Sequence, residues 1–202
     1  MTPLTRAFYA RPAPAVAAEL LGKLLVHSDE PGLLVARIVE VEAYTQEDAA
    51  SHAFRGPTAR NAPMFGAPGH AYVYFTYGMH WCLNVVTGTT GHGQGCLLRA
   101  AEPLEGQEVM RARRGGRADR ELLRGPARLA QAYGLDGRWS GTDLSARPGH
   151  APPALHLADD GARPDVATTA RTGVAAAAEV AWRFVVPGSR WASPYKAHRR
   201  LA

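Results

Sequence analysis

Apolar positions in residues 1–110 follow one another in short segments broken by glycine, proline and acidic residues, and several segments alternate with the period of two expected of strands. Residues 14–22 are the exception: proline near the first turn and glycine just past the last predict a short helix. Residues 23–28 read as a strand, turned by Asp29-Glu30-Pro31-Gly32 into the β-branched run 33–44, so the two should pair as a hairpin. Glu47 and Asp48 open a loop. Residues 72–76 and 80–86 predict a second hairpin around Tyr77-Gly78-Met79, and 95–101 adds another strand.

The second half has a different texture. Residues 110–117, basic and glycine-containing, read as a mobile surface loop, and 120–133 as one helix ending at Gly134. Residues 136–166 are thick with turn formers and predict irregular structure around a short strand at 154–157, while 180–186 reads as a closing strand. The pattern as a whole predicts an α+β fold: a single domain spanning 1–202, a mainly antiparallel curved sheet, peripheral helices and a protruding β-hairpin, with variable segments near 111–119 and 136–166.

Alternation also sorts the polar residues. In Arg37-Ile38-Val39-Glu40-Val41-Glu42-Ala43-Tyr44, Val39 and Val41 share one face, and Glu40, Glu42 and Tyr44 the other. Two carboxylates and a phenol on one surface are either an ordinary solvated strand face or a site. Tyr72 and Tyr74 likewise stand opposite Val73 and Phe75, which predicts a strand covered on both sides. Asn84, inside an apolar run, either satisfies a neighbouring backbone group or faces a ligand. Tyr77 and Met79 put large side chains at a hairpin tip, where polar turn residues are usual, and such a wedge suits insertion into something.

Composition narrows the class. With 202 residues, 46% hydrophobic and 20% charged, the chain is long enough for one core and unlike a disordered or fibrous protein. No apolar run approaches the ~20 residues of a bilayer span, and the N-terminal segment lacks a secretory pattern, which predicts a soluble, unsecreted protein without a membrane partner. Cys82 and Cys96 read as reduced, packed thiols. The net charge of +5, almost all of it from arginine, fits a polyanionic partner, although charge alone leaves a mere compositional bias equally open. The histidines show no paired metal-ligand spacing, and no glycine-rich phosphate loop follows a strand, so neither a metal nor a nucleotide cofactor is expected.

Taken in order and spacing, the segments 37–44, 47–52, 60–65, 72–79, 83–84 and 97–103 resemble the alkyladenine (3-methyladenine) DNA glycosylase family. The resemblance runs from about Leu4 to the last strand and is most specific between residues 37 and 103. It implies a monofunctional base-excision enzyme, a monomer acting on damaged purines in duplex DNA, cytoplasmic or nucleoid-associated in a bacterium and nuclear in a eukaryote. Glu42 resembles the family's water-activating carboxylate and Arg99 its partner. Tyr44, His52 and Tyr74 look like the pocket lining, and Asn84 like the amide that obstructs a purine 2-amino group. Tyr77, with Met79 beside it, looks like the residue that fills the gap left by a flipped base, and Arg60 and Arg128 look like DNA contacts. Arg128 stands where the family commonly has lysine, and Arg190 where proline is common.

The chemistry agrees. Hydrolysis of an N-glycosidic bond develops positive charge on the sugar, so one carboxylate can both take the water's proton and stabilise that charge. A protonating acid is dispensable when the leaving purine is already cationic. No lysine occurs in the motifs assigned to the pocket, so water rather than an amine is the expected nucleophile. Two rivals stay open: a non-catalytic minor-groove binder using Tyr77 as a wedge, which has no use for Glu42, and a free-nucleoside hydrolase, which needs neither wedge nor basic surface.

Overall fold

The computed structural model describes residues 1–145 and 154–198. In chain order the elements are β1 (Thr2–Pro3), α1 (Arg6–Tyr9), α2 (Ala13–Leu20), β2 (Leu24–Asp29), β3 (Gly32–Tyr44), β4 (Ala71–Thr76), β5 (His80–Val86), β6 (Gly95–Glu105), α3 (Gln107–Arg113), α4 (Asp119–Leu122), α5 (Pro126–Ala132), β7 (Ala154–Asp159), β8 (Ala167–Thr169) and β9 (Arg183–Val185). One curved sheet carries every strand, in the order β1-β7-β2-β3-β6-β5-β4, with β9 pairing both β3 and β8. All strand pairs among the described residues are antiparallel. The fold is therefore α+β, with α2 packed on β3 and β6, and α5 on β5 and β6.

β3 is the spine, and its phase changes midway. Leu34, Ala36 and Ile38 face the main core, but beyond Val39 the core residues are Val41 and Ala43. The switch is a register shift: Ile38 pairs Ala101 while Glu40 pairs Ala100, so Val39 is an extra residue. One inserted residue flips every later side chain to the other face. Without it Glu40 and Glu42 would point among the leucines. A second shift follows at once, since Glu40 pairs Ala100 and Val41 pairs Leu98, leaving Arg99 as the extra residue of β6.

Several expectations need correction. Residues 107–113 form the helix α3, where a loop was expected from 110 to 117. Met110 is fully buried beneath it, and Arg111 and Arg113 fall in its last turn, where cations favour the helix dipole. The preceding Gly106, at φ +79°, lies against the Leu33 carbonyl and Leu34, where a Cβ would sit 2.6 Å from that oxygen. The single helix read at 120–133 is two, α4 and α5, because Gly125 at φ +133° and Pro126 break it. The strand read at 180–186 is confined to Arg183–Val185, and β1 and β8 had no sequence signal. Phe75 is 42% exposed, so β4 is not covered on both sides along its whole length. The part of the irregular stretch at 146–153 lies outside the described residues.

His27 on β2 is buried between Tyr133, with ring centroids 6.2 Å apart, and the edge of Trp139 at 4.8 Å. Neither ring nitrogen has a hydrogen-bond partner among the described residues. Burial lowers its pKa; Asp29, 3.8 Å from Nε2, opposes this, and Arg113 adds to the lowering. The unfolded imidazole titrates near about 6.5. Below that pH the unfolded chain takes up a proton that the fold resists, so stability present above it is lost on acidification. The melting temperature is expected to fall between pH 7 and pH 5.5, and His27→Phe should flatten that slope, which differential scanning calorimetry across the range would measure. His156, lowered by burial as well, accounts for a remaining part.

Candidate active site

The bulged middle of β3 sits between β6 on one edge and β9 on the other, so both carboxylates are fully buried and are not a solvated strand face. Glu40 Oε1 accepts from Arg99 Nε, Arg183 Nε and Ser193 Oγ, each at 2.8 Å, and its Oε2 accepts from the Ser193 N–H at 2.6 Å. Burial alone would raise the Glu40 carboxyl, but Arg99, Arg183 and the Ser193 amide outweigh it and hold it below the usual range. Glu42 Oε2 accepts from the Tyr44 hydroxyl at 2.8 Å and Arg99 Nη1 at 3.0 Å, and Oε1 from the Thr172 N–H at 2.7 Å. Arg99 thus forks across both acids, as only a planar guanidinium can.

In front of Arg99 opens a cavity of about 580 Å³. Tyr72 and Tyr74 stack at 5.4 Å on one wall, as their shared strand face predicts, and His52 meets Tyr74 edge-on at 4.5 Å, its Nδ1 3.2 Å from the Tyr72 hydroxyl. Burial and the nearby charge of Arg60 lower the His52 pKa, keeping the ring neutral near pH 7. Tyr44, Asn84, Leu97 and Cys82 also line the cavity, as do Pro126 and Ala127 at the start of α5 and the small residues Thr172 to Ala176. Asn84 donates to the Tyr72 carbonyl at 3.2 Å, so it satisfies a neighbouring backbone group, and it also borders the cavity. Glu42 itself does not border the cavity; Tyr44 and Arg99, which bond to it, do.

Tyr77, 84% exposed, and Met79, 66% exposed, stand at the β4–β5 turn, and Tyr77 reaches the cavity lining. Both Tyr77 (φ 51°) and Gly78 (φ 66°) are left-handed, closed by the Met79 N–H on the Thr76 carbonyl at 3.1 Å. A left-handed tyrosine costs roughly 1–2 kcal/mol that glycine would not. Arg60 lies 6.0 Å from the Tyr74 ring centroid and donates to the Phe75 carbonyl at 2.7 Å, beside the cavity. Arg128 is not brought to the cavity: it sits on α5, paired with Glu121.

Residues without any sequence signal complete the site. Arg171 is fully buried, paired with Asp48, and its guanidinium lies 4.7 Å from the Tyr44 ring centroid and 5.7 Å from that of Trp182. Next to it, Thr172 supplies the amide on Glu42. Lys196, outside every motif assigned to the pocket, borders the cavity too. Among the described residues no three His, Cys, Asp or Glu side chains converge as a metal site would require, and no helix is long and apolar enough to cross a membrane.

Aromatic walls suit a flat heterocycle, above all a cationic one, and a recessed carboxylate suits attack by water at a bond on that ring's edge. Such a site can serve hydrolysis of a bond on the edge of a flat ring. Residues 7–190 match the model of the methylpurine-DNA glycosylase family. A protein of Burkholderia orbicola is 52% identical over 197 residues, covering 95% of this chain and 91% of its own length. One from Streptomyces avermitilis is 49% identical, with coverage of 98% and 93%, and one from Carboxydothermus hydrogenoformans 45% identical, with 94% and 98%. All three carry the name "Putative 3-methyladenine DNA glycosylase". The chain belongs to the methylpurine-DNA glycosylase family and is a DNA glycosylase.

Proposed function

We propose that this enzyme, acting as a monomer and single domain, flips an alkylated purine of the 3-methyladenine or 7-methylguanine type, or hypoxanthine, out of duplex DNA and hydrolyses its N-glycosidic bond, leaving an abasic site. The observation that carries the reading is the buried Glu42, tied through the Tyr44 hydroxyl and Arg99 to an aromatic cavity. The base stacks against Tyr44 and Tyr74, with His52 at its edge. A cationic ring gains about 0.5–2 kcal/mol over a neutral one at each aromatic face. Asn84 crowds a purine that carries a 2-amino group.

With an alkylated purine, the bond from C1′ to the purine nitrogen breaks, its electron pair neutralises the departing cationic base, and water oxygen bonds to C1′; hypoxanthine, neutral in DNA, must in addition take up a proton from solvent as it leaves. Glu42 takes the water's proton and its charge opposes that of the sugar in the transition state. Arg99 and the Thr172 amide keep the carboxylate aimed. Tyr77 and Met79 fill the vacated stack, and Arg60 and Arg128 lie toward the DNA backbone.

Incubating the protein with alkylated duplex DNA tests this directly. Free methylated purine and an uncleaved abasic strand are expected, undiminished by EDTA, and borohydride should trap no protein–DNA adduct. A trapped adduct would instead make an amine the nucleophile, with Lys196 the one to suspect.

A further inference from the structure

Beyond β9 the chain returns to the site as a strap. Its first tie is Ser193, whose N–H and hydroxyl both donate to Glu40 and whose carbonyl accepts from Arg183 Nη2 at 2.9 Å. Its second is Lys196, whose carbonyl accepts from the Gly173 N–H at 2.9 Å, on the loop that lines the cavity. Between the ties Pro194 and Tyr195 are exposed. The buried acid that shares Arg99 with Glu42 therefore also fixes where the strap runs, and the strap carries Lys196 to the cavity.

Lys196 is one of two lysines in the chain. The other, Lys23, is buried and paired with Asp159 at 2.9 Å. Lys196 is exposed, and no carboxylate among the described residues lies within ion-pair distance of it. Of the arginine and lysine residues that line the cavity, Arg99 is paired with Glu40 and Glu42, whereas Lys196 has no carboxylate partner among the described residues.

We propose that Lys196 is a phosphate contact for the everted nucleotide, held in place by the Ser193–Glu40 anchor. The inference rests on the reading that a nucleotide swings into this cavity. Swinging it out brings its flanking phosphates to the mouth as the base goes in, and a compact ammonium on a flexible stem can follow them. Lys196 is then specific for the flipped state, unlike a cation on the general surface. It also gives Glu40 a task separate from that of Glu42: one acid serves the reaction, the other holds Arg99 and the strap.

The test uses the full chain as wild type, Lys196→Ala, Lys196→Arg and, as a control for bulk charge, Arg117→Ala, whose side chain is exposed and away from the cavity. Binding is titrated across a salt series to a duplex with one tetrahydrofuran abasic analogue and to the same duplex undamaged. For Lys196→Ala the slope of log affinity against log salt on the abasic duplex should fall by about 0.9, the signature of one lost phosphate contact. The undamaged duplex should show no such fall, Lys196→Arg should restore the slope, and Arg117→Ala should not discriminate between the duplexes.

An equal fall on both duplexes would make Lys196 a general surface cation and overturn the proposal. So would an unchanged slope, or a borohydride adduct in wild type that Lys196→Ala abolishes. Wild type that releases no base from alkylated duplex sinks the parent reading and this inference together. Wild type that releases base while Lys196→Ala binds both duplexes as it does sinks the inference alone.

Discussion

Glu42→Gln is expected to slow base release by about 10²–10⁴-fold, the usual worth of a general base, while affinity for a duplex with an abasic analogue stays near wild type. The amide keeps the shape and still accepts at its carbonyl oxygen, but it cannot take a proton. Rapid-quench single-turnover assays alongside binding titrations would separate the two. Equal losses of binding and turnover would make Glu42 a structural residue. Glu40→Gln supplies the contrast, and the structure sharpens it. Glu40 holds two guanidiniums and both polar groups of Ser193 in a fully buried cluster. Replacing it breaks buried ion pairs, at a cost of about 3–5 kcal/mol in stability. Its signature should be a lowered melting temperature with turnover per folded molecule far less affected than in Glu42→Gln. Tyr44→Phe should fall between wild type and Glu42→Gln in turnover, since it removes the hydroxyl that helps hold Glu42 Oε2 in place.

The second large effect is expected at the hairpin tip. With 84% of its surface exposed, Tyr77 adds nothing to the core, so Tyr77→Ala should melt close to wild type. Excision from well-paired duplex should nonetheless slow by roughly ten- to hundredfold, the kinetic equivalent of one base–aromatic stack of about 1–3 kcal/mol. The deficit should shrink when the lesion faces a mismatch, because an already weakened pair costs less to open. The left-handed backbone allows a sharper version. Tyr77→Gly relieves the strain of φ 51° and should melt no lower than Tyr77→Ala while excising just as slowly. A stability loss in both variants, with no dependence on the opposing base, would refute the wedge. Thermal melts and single-turnover rates on paired and mismatched substrates decide it.

Strand alternation, hairpins and punctuating glycines were legible along the chain because backbone geometry writes them locally. Residues 33–44, 72–76 and 80–86 come within a residue of β3, β4 and β5. The face shared by Glu40, Glu42 and Tyr44 is real, and so is the Tyr72–Tyr74 pair. Where local signals were weak they misled: α3 shows too little apolar periodicity over its seven residues, and Gly125-Pro126 was read as interior to a helix.

What the residues determined by themselves is the run of strands β2 to β6 and the candidate acids, since a period of two needs only neighbouring residues. Whether those acids met solvent or a core was decided elsewhere. The extra residue at Val39 turned them off the leucine face, the one at Arg99 re-aimed its guanidinium, and β9 closed the open edge. Their partners come from far along the chain, Thr172 at 130 residues from Glu42 and Ser193 at 153 from Glu40. Register shifts and distant partners leave no periodic trace, because they are chosen by the packing of the whole sheet; only tertiary structure could turn a polar strand face into a buried acid cluster behind a cavity.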